Sequence, residues 1–153
     1  MNNNYLNPEK SEDNPKFEFF DVTADTGYWA YGSTLDESFE NAGLAMFNVM
    51  TDTCNVSNII KKQFTIESED KVSLLYDWLE ELLFRHDVDF MYFSSFNVNI
   101  SHINEKYKLD AEVWGDEINS KVHERLNEVK AVTFHLMEVN EENGYSVRVI
   151  LDL

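Results

Sequence analysis

Two aspartates stand where hard-cation chemistry could be done. Asp25 closes the polar run Asp21-Val22-Thr23-Ala24-Asp25, which reads as a turn just before Gly27. Asp152 is the penultimate residue, and the α-carboxylate of Leu153 adds another anionic group one residue on. Carboxylates and carbonyls are hard oxygen donors, suited to Ca²⁺, Mg²⁺ or Mn²⁺. Far apart in the chain, the two acids need not meet, and an ordinary solvated acid is the alternative for each. Asp21 can be a further ligand, an acceptor behind the ligands, or simply a turn former. Lys130, in Glu128-Val129-Lys130-Ala131, precedes an apolar stretch. A lysine beside acids can anchor a carboxylate or reach a phosphate, and a solvated lysine is the alternative. Glu128 is placed to support it.

Other chemistries find little support. Cys54 is the single cysteine, which excludes an internal disulfide and a cysteine-rich zinc site and fits a reducing cytosol. It has no basic neighbour to lower its pKa. His86, His102, His123 and His135 lack the spacing of a local zinc motif, and a hydrogen-bonded structural role is expected for His123 and His135. There is no nucleophile elbow and no phosphate-cradling glycine loop among only 5 glycines. A formal charge of −17 opposes stable contact with a nucleic-acid backbone and suits cations or a basic protein partner. No apolar run approaches the roughly 20 residues of a membrane span, and no signal pattern opens the chain, so a cytoplasmic protein is expected.

The elements that must position these residues follow from pattern. The 153 residues fit one domain, with 43% hydrophobic residues to fill its core. Residues 1–15 are rich in Asn, Glu and Asp and predict a disordered tail, leaving a domain over 16–153. Phe17–Phe20 begins a strand, the acidic turn follows, and Gly27 frees the backbone before Tyr28–Tyr31 extends as a second strand. Thr34-x-x-Glu37 is a capping box. Leu35, Phe39, Ala42, Met46, Phe47 and Met50 form the apolar face of a first helix. A connection over 51–62 leads to a strand at Gln63–Ile66. Glu69 and Asp70 suit the positive end of a second helix, which reaches about His86 with Val72, Leu75, Trp78, Leu79, Leu82 and Leu83 inward.

Beyond Phe90 the period becomes two. Phe96, Val98 and Ile100 face Leu109, Ala111 and Val113 across a turn near Asn104-Glu105, a hairpin with one buried face. Gly115–Glu128 reads as a loop. Ala131–Val139, apolar on both faces, predicts a central strand, and Glu141–Gly144 turns into a last strand over Tyr145–Asp152. The order β-β-α-β-α-β-β-β-β predicts an α+β single domain, two helices packed on a mixed or antiparallel sheet.

Several of these stretches resemble the archease family. They are Asp21-Val-Thr-Ala-Asp-x-Gly-x-x-Ala-Tyr-Gly32, Phe39-Glu-Asn-Ala-x-x-Ala-Met-Phe47, Leu74–Phe84, Glu128-Val-Lys-Ala-Val-Thr-x-His135, and the ending Leu151-Asp152-Leu153. They keep the family's order from about Phe17 onward. The resemblance implies an accessory protein of the RtcB-type ligase that joins tRNA halves, one that promotes transfer of GMP from GTP to the ligase histidine. It also implies a divalent-metal site. Family members bind the cation through the aspartate of Thr-Ala-Asp-x-Gly and the last two residues, here Asp25, Asp152 and Leu153. Ca²⁺ comes first, with Mn²⁺ or Mg²⁺ as alternatives. The pattern places a needed lysine at Lys130, while Asp21 stands where many relatives carry histidine. Two other classes remain open: a stand-alone metal-dependent phosphohydrolase using the same acids, and a chaperone-like binding module.

Overall fold

A computed structural model describes residues 15–153. All but the last residue of the tail expected over 1–15 therefore lies outside the described residues. The chain runs β1 (Phe17–Val22), β2 (Asp25–Gly32), α1 (Leu35–Met50), a 3-10 turn (Thr53–Asn55), β3 (Ile60–Ser68), α2 (Lys71–Asp89), β4 (Met91–Ile103), β5 (Lys106–Glu117), β6 (Ala131–Asn140) and β7 (Tyr145–Asp152). This is the α+β order expected. The strands part into two antiparallel sheets, β1-β2-β7-β6 and β3-β5-β4. Among the described residues, no helix is long and apolar enough to cross a membrane.

The helices lie between the sheets. α1 packs on β2 and β7 from one sheet and on β4 from the other, and α2 packs on β6, β3 and β5. Burial of α1 therefore reaches beyond the predicted stripe to Ser38, Gly43, Ala45 and Val49. At Gly43 an added Cβ would sit 3.1 Å from Leu82 and 3.2 Å from the Phe96 ring, so the missing side chain sets how closely α2 and β4 approach. Two fully buried aromatics tie the layers to the backbone of α1. Tyr28 donates its hydroxyl hydrogen to the Ala42 carbonyl at 2.8 Å, and the Trp78 indole N–H donates to the Phe39 carbonyl at 2.9 Å. A buried polar group left unpaired would cost on the order of 1–3 kcal/mol, so these bonds fix the register of both elements on α1.

The helix caps form as their residue types dictate. Thr34 Oγ1 accepts from the Glu37 N–H at 3.1 Å, while Glu37 Oε1 accepts from the Ser33 N–H at 2.6 Å, one residue before the cap. Asp70 caps α2 by accepting from the Ser73 N–H at 2.7 Å.

Four local expectations change. β3 starts at Ile60 rather than Gln63. Lys62 occupies an inner position there, and its ammonium reaches Asp89 at 3.6 Å, so a lysine stem takes an apolar slot and interrupts the hydrophobic alternation. β5 runs on through Gly115 to Glu117, and the loop begins only at Ile118. β6 is an edge strand, not a central one. Its register to β7 breaks between Thr133 and Glu138, Leu136 adopts φ 55°, and the Phe134 ring stacks on Tyr76 of α2 with centroids 3.9 Å apart. Part of its apolar content thus meets a helix, and the bulge blunts an open edge. Finally, Gly27 lies inside β2, where its lack of a side chain makes room: an added Cβ would come within 2.5 Å of the Phe20 ring. The left-handed backbone of this hairpin falls on Ala24, φ 64°.

Gly115 offers a test of the second sheet. Opposite it β4 slips register between Phe93 and Ser95, and an added Cβ would lie 1.9 Å from the Tyr92 carbonyl oxygen. Backbone cannot yield as a flexible side chain does. Gly115→Ala is expected to cost about 2–3 kcal/mol, lowering the melting temperature by roughly 5–10 °C in a circular-dichroism melt.

Candidate metal centre

The first hairpin and the end of the chain meet. In the β1–β2 register Val22 faces Asp25, so Thr23 and Ala24 form a two-residue turn and Asp25 opens β2. In the β2–β7 register Asp25 faces Asp152, the last residue of β7. Directly opposed residues of an antiparallel pair hold their Cβ atoms about 4.5–5.5 Å apart. Asp152 also faces Ala131 of β6, and its carbonyl oxygen accepts from the Lys130 N–H at 2.8 Å. The end of β7 is thus held from both edges, with Leu153 one residue further.

Two carboxylates directly opposite each other repel. Among the described residues neither Asp25 nor Asp152 pairs with a basic side chain. An all-oxygen anionic donor set of this kind fits a hard divalent cation. It is not a closed cage: no three His, Cys, Asp or Glu side chains gather for a metal among the described residues.

The register also sorts the other candidates. Asp21 faces Thr26, and side chains alternate along a strand, so Asp21 falls on the sheet face opposite to that of Asp25 and Asp152. Lys130 is exposed beside the site, tied to Asp152 through its main chain. Glu128 is exposed in the same loop, separated from Lys130 by buried Val129. His123 is structural: it is 5% exposed, its Nδ1 accepts from the Asn119 N–H at 3.0 Å, and its ring meets the edge of Tyr92. His135 is exposed in the β6 bulge. Sequence reading missed the anchoring of the loop over 118–130. The Leu126 N–H donates to the Met50 carbonyl at 2.9 Å and Asn127 Nδ2 to the Val49 carbonyl at 3.2 Å, pinning the loop to the end of α1. A lone asparagine in a polar loop carries no signal of that role.

The acidic tip lies where β2 begins and β7 ends, with Asp152 exposed and Asp25 half-buried. An open cleft of about 1130 Å³ lies at the far end of β2, lined by Glu18, Tyr31, Glu40 and Tyr145. There burial, reinforced by Glu18, pushes the Tyr31 phenol up to about 12, and burial raises the Glu40 carboxyl. The face bearing Asp25 and Asp152 continues instead through Gly27 and Ile150 to Trp29, over which the Arg148 guanidinium sits at 5.1 Å.

Comparison with known proteins agrees with this architecture. Residues 17–153 match the model of the archease protein family. The protein archease of Methanothermobacter thermautotrophicus is 57% identical over 138 residues, covering 90% of this chain and 98% of that protein. That of Sulfurisphaera tokodaii is 43% identical over 139 residues, covering 90% and 99%. The solution structure of Methanobacterium thermoautotrophicum protein 1598 superposes with a TM-score of 0.82 at 57% identity, covering 90% of this chain and 99% of that one. By its sequence over nearly the whole described length, and by its fold, the chain belongs to the archease family.

Proposed function

We propose that this protein is an accessory factor rather than an enzyme in its own right. It binds an RtcB-type RNA ligase and promotes transfer of GMP from GTP to the ligase's active-site histidine. It thereby sustains repeated turnover in tRNA splicing and RNA repair. Family membership supports the reading, and the facing of Asp25 and Asp152 across β2 and β7 carries it.

Asp25 and Asp152 would hold a divalent cation through their carboxylates and Leu153 through its α-carboxylate. Ca²⁺ is the first candidate, with Mn²⁺ and Mg²⁺ next. When bound, such an ion supplies positive charge that phosphate oxygens can share with the acids. The chain's own part is positioning. Strand pairing presents the acids side by side at the end of the sheet for entry into a partner's nucleotide site, and Lys130 at their flank can meet a phosphate. The −17 charge favours a basic protein surface and disfavours stable direct contact with RNA or with an anionic membrane. The cytoplasm, where the ligase works, is the proposed location.

Asp25→Ala and Asp152→Ala are each expected to lower ligase guanylylation at least tenfold in a stimulation assay. Both lie at strand ends, Asp152 exposed and Asp25 half-buried, and neither pairs with a basic side chain among the described residues, so melting temperatures should stay within about 2 °C of the parent. Full stimulation by both variants would discard the metal-site reading. Turnover of nucleotide or RNA by this protein with Mn²⁺ and no ligase would replace it with a phosphohydrolase.

Metal uptake is separable from stimulation. In calorimetric titration with Ca²⁺, Asp25→Asn or Asp152→Asn should weaken binding at least tenfold. Asp21→Asn, on the alternate face, should change it less than threefold. Equal loss for Asp21→Asn would move the site to the other side of the hairpin.

A further inference from the structure

The loop that ends at the metal candidates presents apolar side chains outward. Ile118, Val122 and Leu126 are four residues apart and 38%, 54% and 46% exposed. The loop is not loose. Ile118 N–H donates to the Phe90 carbonyl at 2.8 Å, Leu126 is bonded to Met50, and Lys130 to Asp152. It therefore forms a fixed path from the end of α2, across the end of α1, to the acidic tip.

Phe90 begins that path and is itself unusual. It caps α2 with φ 54° and ψ 52°, a left-handed conformation that helix ends normally assign to glycine or asparagine. A bulky residue there costs on the order of 1–2 kcal/mol. The ring gains no burial in return, being 69% exposed. A strained aromatic directed at solvent is the kind of outlier that points to function.

We infer that Phe90, Ile118, Val122 and Leu126 form an apolar docking ridge for the RNA ligase, holding the acidic tip in register with the ligase's nucleotide site. The identity of the partner rests on the function proposed above. The ridge adjoins the tip through one pinned loop, so a single rigid face carries both. Asp87, Glu117 and Glu124 flank it, against Lys121 and Arg125, which leaves the rim slightly acidic. Two copies, each at −17, would repel across such a face, whereas a partner with an apolar groove and a basic rim would be attracted. Aromatic residues such as Phe are enriched in the core of protein interfaces, and the rim around that core is polar.

The test is a titration of ligase with the full chain, reading both binding and guanylylation. Phe90→Gly removes the ring while relieving its backbone, so its melting temperature should equal or exceed the parent's. Val122→Asp tests the centre of the loop. Each should raise the dissociation constant for ligase at least tenfold, leave Ca²⁺ uptake unchanged, and recover full stimulation at saturating concentration. Asp25→Ala should do the reverse, binding normally and failing to stimulate at saturation. Ile103→Ser, exposed at the far end of β4, should match the parent in both readouts. Unchanged ligase affinity in Phe90→Gly and Val122→Asp would overturn the ridge while leaving the metal-site reading intact. A parent that neither binds nor stimulates the ligase would overturn both. A parent dimer broken by Val122→Asp, with ligase affinity unchanged, would assign the ridge to self-association instead.

Discussion

The pairing of β2 with β7 is the constraint on which the rest depends. It joins an early hairpin to the end of the chain over Asp25–Gly32 and Tyr145–Asp152. Nothing in the acidic residues themselves enforces it, since opposed carboxylates repel. The inner face does: Tyr28 and Ala30 on β2, and Val147, Val149 and Leu151 on β7, are all fully buried. A slip of one residue would carry these side chains to the wrong face and take Asp152 out of line with Asp25. The core thus holds in place a pair of charges that would otherwise separate.

That core is made by burying α1 on two sides. A helix against one sheet shows one apolar stripe; α1, between two sheets, is buried well beyond it. Small residues at Ala42, Gly43 and Ala45 let the layers close, and the buried hydrogen bonds from Tyr28 and Trp78 fix where they meet. Because α1 runs from the cleft end of β2 toward the acidic tip, its last turn offers carbonyls to the loop over 118–130. One helix therefore supports both the strand that carries Asp25 and the loop that reaches Asp152.

Placing the acids at strand ends limits their cost. Charges at a sheet tip stay solvated, so their mutual repulsion is screened, while a cation or a basic partner can still approach closely. The left-handed dihedrals nearest the tip sit in connections, at Ala24 and Phe90, and that of Leu136 sits in the bulge of β6, away from the β2–β7 pairing. Rigid strands then hold the side chains, and the turns absorb the unfavourable dihedrals.

Much of this was legible in the residues. Thr34-x-x-Glu37, the spacing of Phe39, Ala42, Met46 and Met50, and the alternation around Val98 and Ala111 report local geometry, and local geometry repeats with the backbone's own period. The stretch Asp21–Gly32 and the ending Leu151–Leu153, which carry the family resemblance, pointed to Asp25, Asp152 and Leu153 as candidates. Tertiary structure decided what no period encodes. It divided seven strands into two sheets, moved β6 from a centre to an edge, placed Asp21 on the other face from Asp25, and set Asp25 opposite Asp152. The facing of Asp25 and Asp152 depends on which buried faces fit together across more than a hundred residues of separation, and the place of Asp21 on where the β1–β2 turn falls. A sequence states which side chains seek burial; only the packed chain determines which of the remaining ones become neighbours.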